Sequence, residues 1–169
     1  LLEIGSGLGD MATHLSEMVG KGNYSGIDSN HSFVDVAKRN FPDLSFTVQN
    51  FFLLPITRQY DIVCAPYTLI NLFPFDRQEV FVRKAVAHSE MAIVHTILPD
   101  VYGTYEDTVR TLSSDEYGED YEATVFFMCY RNFELLAQAL IAEGACKEFI
   151  RHDYTATSPK GNARFSLLV

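Results

Sequence analysis

Near the start of the chain, three glycines at alternate positions separate an apolar run from a helical stretch. The segment reads Leu2-Glu3-Ile4-Gly5-Ser6-Gly7-Leu8-Gly9-Asp10. Glycine adopts backbone conformations closed to other residues, so such a turn brings the backbone close to a ligand at the start of a helix. A dinucleotide-binding loop would have the spacing GxGxxG and a pyrophosphate at the helix N-terminus, where the Asp10 carboxylate is unfavourable. The loop therefore favours a nucleoside that carries no phosphate.

Short apolar runs alternate with helical stretches over the first part of the chain. The runs have the length of buried strands, and the helical stretches place apolar residues three and four positions apart. We predict strands over 1–4, 24–27, 44–48, 60–65 and 91–97, and helices over 10–19, 31–41 and 76–88. Strand, helix and strand in succession imply a parallel sheet with right-handed crossovers.

The end of the chain has a different pattern. Asn132 is a plausible N-cap for a helix over 133–143, and Gly144 is placed to end that helix. Two β-rich runs follow, 147–155 and 163–169, and the turn-rich segment between them permits an antiparallel hairpin. The predicted fold is α/β, a Rossmann-like, doubly wound and mostly parallel sheet that ends in an antiparallel hairpin.

Two carboxylates flank the first βαβ unit. Glu3 stands just before the glycine loop and can attract a cation, such as an amino group carried by the ligand. Asp28 ends the second strand, where a carboxylate can accept hydrogen bonds from the hydroxyls of a ribose. The separation between Glu3 and Asp28 fits one βαβ unit, so both carboxylates are expected at one binding site.

These residues resemble the class I S-adenosylmethionine-dependent methyltransferases, whose first motif has the form E/DxGxGxG and whose second strand ends in an acid. The resemblance covers nearly the whole chain and implies a seven-stranded sheet with an antiparallel last strand. It also implies S-adenosylmethionine as cofactor and S-adenosylhomocysteine as product. In that family the glycine loop passes under the methionine part, and the acid of the second strand holds the ribose.

A third matching segment, residues 48–55, resembles the loop that follows strand three in this family. An Asp there usually accepts a hydrogen bond from the adenine amino group, and the next backbone amide contacts the ring. This chain has Asn50, which departs from the pattern but keeps an acceptor oxygen. The resemblance thus implies cofactor contacts at Glu3, Gly5, Ser6, Gly7, Gly9, Asp28, Ser29, Asn50, Phe51 and Ala65.

The segment after the fourth strand supplies the candidates for acceptor contacts, because it faces the methyl group in this family. Tyr67 and Asn71 are the first of them. The segment also partly resembles the Asp/Asn-Pro-Pro-Tyr motif of enzymes that methylate base or amide nitrogens, but Cys64 and Ala65 replace its first two residues. His95 on the fifth strand is either a general base or a core histidine held by hydrogen bonds.

The chemistry of methyl transfer demands little of the protein beyond placement. A methyl group on a sulfonium is already an activated electrophile, so the enzyme aligns donor and acceptor, excludes water and manages any proton on the acceptor. We therefore expect a transferase that methylates the nitrogen or oxygen of a small molecule. A dedicated general base is not required by this reaction.

The composition of the chain disfavours nucleic acid, metal ions and membranes as partners. A net charge of -9 opposes binding to nucleic acid, which relies on clustered Lys and Arg. The three cysteines form no CxxC pair, which favours reduced thiols and no metal site. No apolar run reaches the roughly 18 residues that span a bilayer, and no leader is visible, so we expect a cytoplasmic protein without a membrane partner.

The length of the chain suits a single domain over residues 1–169. Residue 1 already lies inside an apolar run, so we expect the chain to be truncated before its first strand. The stretch 100–130 interrupts the alternation of strands and helices and carries tyrosines among carboxylates. It is either a lid in which Tyr117 and Tyr121 favour an amine acceptor, or a solvated acidic loop.

Two other classes of function remain open. One is a non-catalytic cofactor-binding or scaffold protein that keeps this fold. The other is an NAD-dependent oxidoreductase, which Asp10 and the lack of a Tyr-x-x-x-Lys pattern both disfavour.

Overall fold

The computed structural model describes residues 1–55, 60–66, 69–97, 105–112, 123–158 and 161–168. The chain forms two compact units. The first contains residues 1–66 and 84–93, and the second contains residues 67–83 and 94–169. That the whole chain acts as a single domain stays a prediction.

The first unit is built from parallel strands that alternate with helices. Strand β1 pairs in parallel with both β2 and β4, and β2 pairs in parallel with β3. The order of the main sheet is β3-β2-β1-β4-β5-β9-β8, in which β8 is Arg151–Ser158 and β9 is Gly161–Leu168, and this order confirms the Rossmann-like α/β prediction. The elements are β1 Leu2–Ile4, α1 Ala12–Val19, β2 Ser25–Asp28, α2 His31–Asn40, β3 Ser45–Val48, β4 Tyr60–Ala65, α3 Phe75–His88 and β5 Ser89–Thr96, the last two reaching into the second unit.

An apolar cluster under α1 and α2 fixes the glycine loop against the sheet. Tyr24, Val34 and Phe46 are among its buried members, and the ring of Tyr24 meets that of Phe46 edge-on at 5.7 Å. Gly9 has a φ of +92°, and a Cβ there would lie 2.7 Å from the ring of Phe41. The third glycine of the loop is therefore needed for close packing.

The second unit contains two antiparallel pairs and one long helix. Its elements are β6 Thr108–Leu112, β7 Ala123–Phe127, α4 Tyr130–Ala142, β8 Arg151–Ser158 and β9 Gly161–Leu168. Strand β9 runs antiparallel to both β5 and β8, which confirms the predicted terminal hairpin. Strands β6 and β7 form a separate two-stranded antiparallel sheet within the stretch that interrupts the alternation. The sequence analysis did not predict that pair.

The start of α4 corrects one prediction. The helix begins at Tyr130 with Cys129 as its N-cap, so Asn132 is not the cap. The carboxylate of Asp107 accepts hydrogen bonds from the Cys129 N–H and the Asn132 side-chain amide, each at 2.7 Å. A carboxylate distant in sequence thus anchors the start of the helix, although no side chain caps its first turn. The end of the helix is as predicted, with Gly144 at a φ of +72°.

Three further features bear on the predicted partners. Within the described ranges, no helix is both long and apolar enough to cross a membrane. The same ranges hold no group of three or more His, Cys, Asp or Glu side chains arranged to bind a metal ion. Cys64, Cys129 and Cys146 are all free thiols.

Candidate functional site

The loops that follow β1, β2 and β3 are tied together by backbone hydrogen bonds. The N–H groups of Gly5 and Ser6 both donate to the carbonyl of Ile27, at 2.8 and 3.0 Å. The Gln49 N–H donates to the carbonyl of Asp28 at 2.8 Å. The carboxyl ends of three neighbouring parallel strands therefore meet at one edge of the sheet, where open α/β folds bind ligands.

Asp28 joins the glycine loop to the end of β2. One carboxylate oxygen accepts the Gly7 N–H at 3.0 Å, and the other accepts the Asn30 N–H at 2.8 Å. A carboxylate oxygen has two lone pairs, so each oxygen can still accept a further hydrogen bond. Asp28 is partly exposed and Ser29 beside it is exposed, so a ligand can reach both.

Gly7 and Ser6 give the loop room for a ligand. Gly7 has a φ of +53°, and no atom lies within 4 Å of where a Cβ would stand. The Ser6 hydroxyl is buried and has no hydrogen-bond partner among the described residues. Buried hydroxyls are rarely left unpaired, so a polar ligand is a natural partner for this one. The loop therefore has room and an available hydroxyl for a polar ligand.

The turn after β3 is fixed by two side chains. Asn50 accepts the Phe52 N–H at 2.9 Å and so caps the 3-10 turn Phe51–Leu53. Lys84 donates to the Phe52 carbonyl at 2.8 Å, and its ammonium lies 5.8 Å from the centre of the Phe51 ring. Lys84 lies in the helix predicted over 76–88, and no sequence pattern indicated this contact. Because the Asn50 oxygen already accepts this bond, only its second lone pair remains to accept from a ligand.

Glu3 lies fully inside the protein, at 1% exposure. The Tyr24 hydroxyl donates to its carboxylate at 2.5 Å. The pKa of Glu3 is raised to about 7, mainly because the carboxyl is buried; the Tyr24 hydrogen bond lowers the pKa, and the charges of Asp10 and Asp28 raise it. Sequence reasoning missed Tyr24, although a buried tyrosine hydroxyl usually has a hydrogen-bond partner.

Ala65 and Cys64 end the neighbouring strand β4, and both are buried. Cys64 stands opposite Glu3 in the β1–β4 register. Burial, together with the charge of Glu3, raises the pKa of the Cys64 thiol to about 12. The thiol is therefore protonated at neutral pH and is no nucleophile.

Because Glu3 is buried, we expect its contribution to the free energy of unfolding to fall as pH rises. The pKa of Glu3 is about 7 in the folded chain against 4.5 for the free side chain, so the folded state binds the proton more tightly. The resulting stabilisation is complete below pH 4.5 and is lost as pH rises through 7. We expect Glu3→Gln to remove about 2 to 3 kcal/mol of this pH dependence between pH 5 and 8.5.

Urea unfolding at the two pH values measures this effect. Glu17→Gln, at an exposed position on α1, is the matched control and should keep the pH dependence of the wild type. Equal pH slopes for Glu3→Gln and the wild type would contradict the raised pKa.

Asn71, in the second unit, is buried at 2% exposure in a 3-10 turn. Its amide nitrogen donates to the carbonyls of Phe126 at 3.0 Å and Ile97 at 3.3 Å. Its oxygen accepts from the Ile97 N–H at 3.0 Å and the Thr96 hydroxyl at 3.2 Å. All four hydrogen-bonding positions of the carboxamide are used by described residues, and a contact between Asn71 and a methyl acceptor stays a prediction.

The other two acceptor candidates stay predictions. Tyr67 lies outside the described residues, as do Tyr117 and Tyr121 of the predicted lid. His95 is partly buried on β5, and burial lowers its pKa. It is therefore neutral at pH 7, which is the form that a general base requires.

A sheet of this order, with a glycine loop after β1 and an acid at the end of β2, defines the class I S-adenosylmethionine-dependent methyltransferase fold. Residues 1–90 match the family model described as the methyltransferase domain. The match covers more than half of the chain, which therefore belongs to the methyltransferase domain family. The resemblance drawn from the sequence is confirmed.

Individual relatives agree with this assignment. A protein of Invertebrate iridescent virus 6 named as a methyltransferase is 32% identical over 69 residues, which are 41% of this chain and 26% of that protein. The match thus spans about a quarter of the relative's length.

Two solved structures illustrate the likeness of fold. One is an S-adenosylmethionine-dependent methyltransferase from Clostridium acetobutylicum, with a TM-score of 0.63, 12% identity and coverage of 99% of this chain and 81% of the other. The other is an amino pentose methyltransferase from Micromonospora echinaspora, with a TM-score of 0.64, 10% identity and the same coverages. At these identities the likeness is one of fold.

Proposed function

We propose that this chain binds S-adenosylmethionine at the loops that follow β1, β2 and β3, and transfers its methyl group to the nitrogen or oxygen of a small molecule. The geometry of Asp28 carries the proposal. Its carboxylate holds the Gly7 N–H and still has lone pairs for the two hydroxyls of a ribose. The unpaired Ser6 hydroxyl and the open space at Gly7 support the same ligand.

The residues of the chain act here by binding and placement. When bound, S-adenosylmethionine supplies a methyl group on a positively charged sulfur, which is already an activated electrophile. The open backbone at Gly7 lets that part of the ligand approach, and Asp28 fixes the ribose. Asp10 and Asp28 place negative charge near Glu3 and the glycine loop, which favours a cation there. Alignment and exclusion of water are then the main contributions to rate.

The net charge of the chain and the names of two proteins of like fold support a small molecule as the methyl acceptor. The net charge of -9 disfavours a nucleic-acid substrate. Among the solved structures of like fold is one named as an amino pentose methyltransferase, and another is named as the plantazolicin methyltransferase. An amine stays one candidate acceptor, and His95 is the candidate base. Since described residues occupy the hydrogen-bonding positions of the Asn71 carboxamide, we favour acceptor contacts from other residues, Tyr67 first among them.

Thermal unfolding with and without S-adenosylmethionine tests the proposal, with NADH as the control ligand. A ligand at a hundredfold excess over its dissociation constant adds about 2.7 kcal/mol to stability, which raises Tm by roughly 5 to 10 °C for a chain of this size. We expect a shift with S-adenosylmethionine and S-adenosylhomocysteine but not with NADH. A shift with NADH alone would favour an oxidoreductase instead.

A further inference from the structure

The hydrogen bond between Tyr24 and Glu3 depends on the absence of a side chain at Gly26. Glu3 and Gly26 are register partners on β1 and β2. A Cβ on Gly26 would lie 2.7 Å from the Tyr24 hydroxyl, 2.8 Å from the ring of Phe46 and 2.9 Å from the Ser6 Cβ. Because this space is free, the phenol of Tyr24 reaches along the strand to the Glu3 carboxyl.

The charged and titratable groups that act on Glu3 come from every neighbouring element. They are Tyr24 directly before β2, Asp10 before α1 and Asp28 at the end of β2, together with Cys64 on β4, whose pKa Glu3 itself raises. None of them is a cation, and two are carboxylates. Burial and the charge of Glu3 also raise the pKa of Tyr24, so its hydroxyl keeps its proton and acts as a donor. The carboxyl therefore has one hydrogen-bond donor and no countercharge from these groups.

A buried carboxyl in such surroundings holds its proton until a positive charge arrives. Glu3 stands two residues before Gly5, the first glycine of the binding loop. A cationic ligand on that loop would supply the countercharge that the described groups acting on Glu3 do not. Its arrival favours the ionised carboxylate over the neutral acid.

We propose that Glu3 and Tyr24 form a proton-linked element of the cofactor site, in which Glu3 carries a proton while the loop is empty and releases it to solvent when the cationic cofactor binds. This inference rests on the proposed function, since it takes S-adenosylmethionine as the cation. Tyr24 is a positioning residue, which holds the carboxyl and sets the pH at which the proton leaves. One proton leaves per ligand bound, so the charge of the complex balances.

Affinity for S-adenosylmethionine must then depend on pH. Below the midpoint of the Glu3 titration, binding has to remove a proton, so the dissociation constant rises about tenfold for each unit of pH lost. With a midpoint near the Glu3 pKa of about 7, we expect the dissociation constant to fall roughly 30-fold between pH 5.5 and pH 8.5. Glu3→Gln cannot release a proton, and its affinity should vary by less than about twofold over this range.

Isothermal titration calorimetry with S-adenosylmethionine, in buffers of different ionisation enthalpy, counts the protons released. At pH 6 the wild type should release close to one proton per ligand, and at pH 8.5 almost none. Tyr24→Phe keeps the ring in the core but removes the donor that lowers the Glu3 pKa. We expect it to move the midpoint upward by about one pH unit, the effect of one hydrogen bond, while the stoichiometry of release stays the same.

Glu17→Gln is the matched control, since Glu17 is exposed on α1, and it should behave as the wild type. A merely structural role for Tyr24 would lower Tm in Tyr24→Phe without moving the midpoint, and that result would overturn the inference. The ligand-free titration is read separately from the carboxyl ¹³C shift of Glu3, identified by its loss in Glu3→Gln.

The same experiments distinguish a missing proton linkage from a missing cofactor site. If the wild type binds S-adenosylmethionine without proton release at pH 6, the cofactor assignment stands and the proton linkage is overturned. A ligand-free Glu3 titration near pH 4.5 overturns the linkage whatever binds. If neither S-adenosylmethionine nor S-adenosylhomocysteine binds at any pH, the proposed function falls, and the inference falls with it.

Discussion

Asn71→Asp is expected to lower the free energy of unfolding by about 4 kcal/mol at neutral pH, although the two side chains have nearly the same shape. The substitution replaces an NH₂ group by an oxygen. That oxygen would face the carbonyls of Phe126 and Ile97, which now accept from the Asn71 amide at 3.0 and 3.3 Å. In the variant, the buried carboxylate makes neither of these two hydrogen bonds and is repelled by the two carbonyl oxygens. The substitution should therefore destabilise mainly the folded state.

Urea unfolding of the variant measures this loss. Asn40→Asp is the matched control, because Asn40 is exposed at the end of α2 and its change should alter stability by less than about 0.5 kcal/mol. Protonation of the new carboxyl restores one donor, so the loss should shrink at low pH. A loss below about 1 kcal/mol at neutral pH would mean that the Asn71 carboxamide does not hold these carbonyls.

Asp28→Ala is expected to weaken the binding of S-adenosylmethionine by roughly 300-fold. The change removes the carboxylate proposed to accept from both ribose hydroxyls, and charge-assisted hydrogen bonds of this kind contribute about 1.5 to 3 kcal/mol each. It also releases the N–H groups of Gly7 and Asn30, which Asp28 now holds at 3.0 and 2.8 Å. The glycine loop should therefore be less well ordered for the ligand.

Isothermal titration calorimetry, at a temperature where the variant is folded, gives the change in dissociation constant. Asp43→Ala removes an exposed carboxylate that pairs only with Lys21 on the surface, and it should bind as the wild type does. An Asp28→Ala variant that binds S-adenosylmethionine within threefold of the wild type would remove Asp28 from the site. In that case the ribose must be held by other residues.

The features that could be predicted from the sequence are those that depend on neighbouring residues. The glycine loop, with a strand before it and a helix after it, is a local pattern, and the positive φ values at Gly5, Gly7 and Gly9 agree with it. Asp28 follows directly from the end of a strand. The stop of α4 at Gly144 is equally local, because a left-handed residue there satisfies the last carbonyls of the helix.

Other features depended on partners far away in the chain. The start of α4 is anchored by Asp107, 22 residues before Cys129, and the helix begins at Tyr130, so the prediction of Asn132 as its N-cap was wrong. The hairpin of β6 and β7 is stabilised by cross-strand pairs, and a short strand carries little periodicity of its own. Asn71 reaches carbonyls 26 and 55 residues away, a use that no spacing in the sequence indicates.

The sequence by itself determined the fold class, the glycine loop and Asp28, because strand and helix periods and the freedom of glycine are properties of short segments. Only the tertiary structure decided that Tyr24 reaches Glu3, that Gly26 leaves the space for it, and that the Asn71 carboxamide is fully used. The physical reason is that a buried polar group needs a hydrogen-bond partner. Only the folding of the whole chain determines which group lies within about 3 Å of it.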